Sequence, residues 1–138
     1  PEQAALAAEL GLDGAVAVLP FVDRATLAAV YRRAALVVIP SEEEGFGLPV
    51  LEAMTCGTPV VASDLAVLRE VGGGAATFVE FGAVEAWGGT VVGLLEERRL
   101  DPERWEERRR AGLARAARFS WSEYARNMVD VYQEVVSR

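Results

Sequence analysis

Four short runs of apolar residues do most to limit how this chain can fold. They are "AVAVL" (Ala15–Leu19), "ALVVI" (Ala35–Ile39), "PVVAS" (Pro59–Ser63) and "ATFV" (Ala76–Val79). None alternates apolar with polar, so none suits a strand with one face in water; such runs suit strands covered on both faces. The segments between them carry helical signals. Asp23 is placed to cap a helix reaching Arg33, with Leu27, Val30 and Tyr31 at helical spacing. A second helix from about Leu48 ends at Gly57, and Asp64 is placed to cap a third reaching about Val71, stopped by Gly72–Gly74. Strands alternating with helices imply a parallel sheet with right-handed crossovers.

The ends are helical. Glu2 to Leu10 reads as a helix closing at Gly11. Val84, Trp87, Val91, Leu94 and Leu95 form one stripe. Asp101-Pro102 is an N-cap followed by Pro at the first helical position, opening an arginine-rich helix over 102–118. Ser120-x-x-Glu123 is a capping box opening a last helix over 121–136, with Tyr124, Met128, Val131 and Val135 on one side. The 138 residues fit one domain, 1–138, with no repeats and no linker. Pro1 is not a natural start, so an internal boundary of a longer protein or an edited terminus is expected there.

Composition narrows the chemistry. There is no histidine, which excludes Ser-His-Asp and Cys-His catalysis and any His-based metal site. All 14 basic residues are arginine, so no lysine Schiff base or P-loop lysine is available. Cys56 is the only cysteine; it cannot form an internal disulfide and reads as packed. The aspartates never fall two apart, so no Asp-x-Asp metal site exists. A net charge of −7 argues against a nucleic-acid partner. No apolar run approaches the roughly 18 residues that span a bilayer, no signal peptide opens the chain, and a reducing, cytoplasmic setting is expected.

What remains is carboxylates, arginines, hydroxyls and backbone dipoles, and these gather in "PSEEEGFGLPVLEAMTCGTPVVASD", Pro40 to Asp64. A strand runs into a loop and the loop into a helix start, the place where open parallel sheets bind ligands. Unpaired N–H groups and the positive dipole end attract anions there. Gly45 and Gly47 let the backbone approach a phosphate closely. Pro49 falls in the first turn, where its missing N–H costs little. Glu52 lies ~7 Å along the helix axis at 1.5 Å per residue, close to the span from a diphosphate to its ribose. A carboxylate there can accept two hydrogen bonds from a vicinal diol. Glu44 lies on the other side of the phosphate position, so the two carboxylates would bracket a sugar–diphosphate–ribose ligand.

That stretch resembles the signature of the GT-B glycosyltransferases of the large retaining family 4, whose hallmark is two glutamates separated by seven residues, here Glu44 and Glu52. "FVDRATLAAVYRRAALVVIPS" and "FSWSEYARNMVDVYQEV" are similar to the family as well. The resemblance covers roughly Val16 to Val135. It implies an α/β, Rossmann-like parallel sheet with flanking helices, the C-terminal donor-binding half of a GT-B fold. It implies a hexosyltransferase-type reaction that retains anomeric configuration, and a UDP-, GDP- or ADP-linked sugar as donor, without cofactor or metal. Glu52 would bind the ribose hydroxyls and Glu44 hydroxyls of the donor sugar, the position debated as catalytic. The backbone N–H groups of Phe46, Gly47 and Leu48, with Gly45 beside them, would hold the diphosphate. Val22 would meet the nucleobase through its backbone, with Arg24 nearby.

Departures from the family set further expectations. The segment that usually supplies an Arg and a Lys to the diphosphate is absent. So are the first two strands of the donor domain and the N-terminal acceptor domain. Ala15–Leu19 and Ala35–Ile39 would be the family's third and fourth strands, separated there by the missing pair. Absent residues of a longer parent, a second copy, or direct contact between the two strands could fill that gap. The chain alone is expected to be inactive. A non-catalytic nucleotide-binding or interaction module is the alternative, and a GT-B-fold epimerase another, though the latter needs a general acid/base the chain does not show. Glu42 and Glu43 read as a solvated run, and Trp105 and Trp121 as core anchors. Arg108–Arg110 reads as a solvated helix face, with peripheral contact to an acidic membrane as its alternative.

Overall fold

The computed structural model describes residues 2–12 and 14–137. Helix α1 (Glu2–Glu9) is followed by an irregular segment and α2 (Arg24–Arg33). Then come β1 (Val37–Ile39), α3 (Leu48–Thr55), β2 (Val60–Ser63), α4 (Ala66–Gly72), a 3-10 turn at Gly73–Ala75, and β3 (Thr77–Val79). Helices α5 (Val84–Leu100), α6 (Pro102–Ala116) and α7 (Trp121–Val136) complete the chain. The strands form one parallel sheet in the order β1-β2-β3, with Val38 opposite Val61 and Ala62 opposite Phe78. This is the expected α/β architecture.

Each side of the sheet builds its own core. Ile39, Val60 and Ala62 face Val50, Ala53 and Met54 of α3 and Leu68 and Val71 of α4. Val61 and Val79, on the opposite face, meet Leu94 of α5 and Trp105 of α6. The lack of polar alternation in Val60–Ala62 follows from this, since all four residues of β2, Ser63 included, are buried. Trp105 is a core anchor, as expected; the Trp121 side chain lies outside what is described.

The caps read from sequence mostly form. The Asp23 carboxylate accepts from the Thr26 N–H at 2.7 Å, Asp101 from Arg104 at 3.0 Å, and the Ser120 hydroxyl from Glu123 at 3.1 Å. Asp64 does not cap α4. Leu65 occupies that position, and the Asp64 carboxylate pairs with Arg69, whose Nη2 donates to Oδ2 at 2.7 Å. A guanidinium fork satisfies both carboxylate oxygens where one amide satisfies only one. The Arg69 hydrogen bond holds the Asp64 carboxyl below its ordinary value.

Two strand expectations need correction. Ala15–Leu19 forms no strand: Val16, Val18 and Leu19 are 50%, 69% and 56% exposed, and no ladder pairs them with β1. A strand is stabilised by its neighbours, and β propensity alone does not make one. No strand pairing therefore joins the two runs among the described residues. Nor is β1 covered on both faces. It is an edge strand, and Val38 is 43% exposed because α5 and α6 cover only β2 and β3 on that side.

The α7 stripe is also more open than its pattern suggests. Met128 is half-buried, whereas Tyr124, Val131 and Val135 are exposed. No helix among the described residues is long and apolar enough to cross a membrane.

Of Arg108–Arg110, read as a solvated helix face, Arg109 and Arg110 are exposed and bond to Glu106 on the same helix, but several α6 arginines also tie the helix to other elements. Arg108 donates to both Glu97 carboxylate oxygens, and Arg104 adds a 3.1 Å contact to the same group. Arg109 Nε donates to the Gly57 carbonyl at 2.9 Å, and Arg115 donates to the carbonyls of Val71 and Glu70. The Arg108 hydrogen bond holds the Glu97 carboxyl below its ordinary value. A depressed carboxyl stabilises the fold above its unfolded pKa, and the contribution fades as pH falls through the lower folded value. Glu97→Gln should therefore cost about 1–2 kcal/mol at neutral pH. In denaturant titrations the gap to the unsubstituted protein should close as pH drops through and below the ordinary carboxylate range. A gap that persists at acid pH would show that the charge pair is not its source.

Candidate functional site

The site is built where β1 hands over to α3. After Ile39 the chain leaves the sheet, and residues 40–47 form an irregular loop. Gly47 is the N-cap of α3 at φ 85°, ψ 35°, a left-handed conformation, and it offers no side-chain cap. Glycine is required twice over: by that φ, and because a Cβ would lie 2.7 Å from Leu68 Cδ2. Pro49 sits in the first turn as the sequence predicts. The N–H groups of Phe46, Gly47 and Leu48 donate no hydrogen bond to any described residue. Phe46 and Leu48 are exposed and Gly47 is buried; the three unpaired donors of this helix start suit an anion.

Glu44 is half-buried, and its Oε1 accepts from the Ser41 hydroxyl at 2.8 Å, which fixes the carboxylate beside the loop. Glu52 is exposed, while its neighbours Val50, Ala53 and Met54 are buried in the core beneath it. The helix thus turns one carboxylate outward and anchors itself with the rest. The Tyr31 hydroxyl donates to Glu52 Oε2 at 3.4 Å, long for such a bond, so the carboxylate keeps acceptor capacity for a ligand. Burial, then the Glu52 charge, pushes the Tyr31 hydroxyl above its ordinary pKa, which keeps it a donor.

Tyr31 has a role that the sequence pattern concealed. Its helical spacing marks it as core, and its ring does pack on the core, but its polar tip reaches the site. Val22 is half-buried and Arg24 exposed, either side of the Asp23 cap of α2. Arg24 makes no hydrogen bond or ion pair among the described residues, and neither Val22 nor Arg24 is hydrogen-bonded to the α3 loop. The structure brings Glu44, Gly45–Leu48 and Glu52 around one helix start and leaves Val22 and Arg24 on a separate helix start.

A second aromatic also went unread. Phe46 is half exposed at the tip of the loop, and its ring meets Phe119 edge to face, centroids 6.4 Å apart and planes at 89°. Phe119 lies in the turn between α6 and α7, under the Arg115 guanidinium at 5.1 Å. Cys56 is half-buried, its thiol directed to the Ala28 carbonyl at 3.8 Å, consistent with packing.

Known proteins resemble the chain across this whole region. Residues 2–112 match the family described as glycosyl transferases group 1. A D-inositol 3-phosphate glycosyltransferase of Segniliparus rotundus is 40% identical over 134 residues, covering 94% of this chain and 28% of that protein. The O-antigen chain mannosyltransferase B of Escherichia coli is 36% identical over 122 residues, covering 88% of this chain and 31% of its own length. The solved structure of sucrose-phosphate synthase from Thermosynechococcus elongatus superposes with a TM-score of 0.84 at 29% identity, over 96% of this chain and 33% of that one. The chain thus spans about a third or less of the length of these proteins.

Proposed function

This chain belongs to the glycosyl transferases group 1 family, and we propose that within it the chain is the nucleotide-sugar-binding part of a retaining glycosyltransferase. The observation that carries this reading is the open start of α3: three undonated N–H groups with an outward carboxylate one turn further along. The N–H groups of Phe46, Gly47 and Leu48 take the diphosphate, and Glu52 takes the ribose diol, with Tyr31 steadying its second oxygen. Glu44, held by Ser41, reaches hydroxyls of the donor sugar. The Val22 backbone and Arg24 lie toward the base. In the reaction the bond from the sugar to the diphosphate oxygen breaks, a bond from the sugar to the acceptor oxygen forms, and the acceptor's hydroxyl proton is released. The negative charge left on the diphosphate falls on the helix mouth, where fixed dipoles stabilise it without reorganising. No divalent metal is needed for donor binding. The acceptor is bound by a separate domain, and these 138 residues alone transfer no sugar.

Glu52→Ala tests the assignment. Losing charge-assisted hydrogen bonds to a diol should weaken binding about 10–100-fold, equivalent to roughly 1.5–3 kcal/mol. Calorimetric titration of the full-length protein with UDP, GDP and ADP, with and without chelator, reads both claims. Unchanged affinity in a folded Glu52→Ala protein would remove the ribose role, and affinity lost in chelator and restored by Mg²⁺ would remove the metal-free one.

A further inference from the structure

We propose that Phe119, remote in sequence, is the positioning residue for the diphosphate loop, acting through the Phe46 ring. The inference rests on the donor-site reading above and adds a residue to it. Gly45 and Gly47 flank Phe46, so Phe46 is the one side chain by which the tip of this turn can be held. A loop with two glycines loses much conformational freedom when its N–H groups align on an anion. If a contact aligns them beforehand, that cost is met in folding and not in binding.

The structure supplies such a contact, and it is itself braced. The Phe46 and Phe119 rings form a perpendicular pair with centroids 6.4 Å apart. Phe119 is packed against the main core cluster, and its backbone N–H donates to the Ala116 carbonyl at 3.0 Å. The Arg115 guanidinium covers the Phe119 ring while its Nε donates to the Val71 carbonyl at 2.9 Å, at the end of α4. Loop, turn and helix end are thereby linked in one stack: Phe46, Phe119, Arg115, Val71. Gly47 lies on the other side of the same circuit, where an added Cβ would meet Leu68 and Val71. Phe46 is half exposed even with this contact in place; without the Phe119 ring its tip is unbraced, and the binding-competent loop is only a fraction of the population. Apparent affinity falls by that fraction.

An aromatic pair of this geometry is worth about 3–10-fold in an equilibrium. The test is a double-mutant cycle in the full-length protein, read as the dissociation constant of whichever of UDP, GDP and ADP binds. Phe119→Leu keeps apolar volume and removes the ring edge; Phe119→Met serves if the leucine protein does not fold. Phe119→Leu should weaken binding 3–10-fold, and in a Phe46→Leu background it should change binding less than 2-fold. A purely structural role would weaken binding equally in both backgrounds, and that result overturns the proposal. So does an unchanged affinity in the single variant. Glu52→Ala, measured alongside, separates the two claims: weakened by Glu52→Ala but not by Phe119→Leu, the donor site stands and the positioning role falls.

Discussion

Leu68→Ala should lower the unfolding free energy by about 3–5 kcal/mol. Leu68 is fully buried in α4, in the cluster that joins α3, α4 and the sheet. Its removal takes a side chain out of a fully buried, close-packed cluster, so the cavity term adds to the transfer term. Denaturant titration with an unchanged m-value would measure it. A loss below about 1 kcal/mol would mean that Leu68 is not packed between the helix mouth and the sheet as described.

Gly47→Ala should be nearly as damaging to stability and more damaging to ligand binding. A left-handed residue with a side chain costs about 1–2 kcal/mol, and displacing Leu68 from the new Cβ adds about 1–2 kcal/mol more. Leu68 cannot yield freely, because it is fully buried in the core cluster, and Val71 Cγ2 lies 3.8 Å from the same Cβ position. The alternative is for the loop to leave its left-handed turn, which re-aims the N–H groups of Gly47 and Leu48. The expected result is a loss of about 2–4 kcal/mol in denaturant titration, together with nucleoside diphosphate binding too weak to titrate. A protein of full stability and full affinity would show that the turn tolerates a side chain and that neither φ nor Leu68 limits it.

How much of this was legible in advance differs by element. The helix mouth was readable because every part of it is local: Gly47, Pro49 and Glu52 lie within six residues, and turn and cap chemistry act at that range. Asp23, Asp101 and Ser120 were readable for the same reason. Asp64 was not, since a capping residue and an ion-pair partner look identical until Arg69 is known to reach it. The strand at Ala15–Leu19 was misread because β-branched composition reports suitability for a sheet, and the sheet must still supply a neighbour. Phe119 and Tyr31 were hidden for a third reason. Their contacts cross 73 and 21 positions of sequence, from Phe46 to Phe119 and from Tyr31 to Glu52, and no periodicity carries such information.

The arginines of α6 have a mechanical meaning beyond the bonds they make. Arg109 grips the carbonyl just past the end of α3, and Arg115 grips the last carbonyls of α4. Each places a cation at the negative end of a helix dipole. Both helices begin at the carboxyl edge of the same sheet, so their far ends are the handles and their near ends carry the loop and its Leu68 support. A single rod, α6, therefore holds two levers at once. It is tied in turn to α5 through Arg108 and Glu97. Loosening α6 would therefore release the far ends of α3 and α4 at once, whereas two helices anchored separately would come free one at a time.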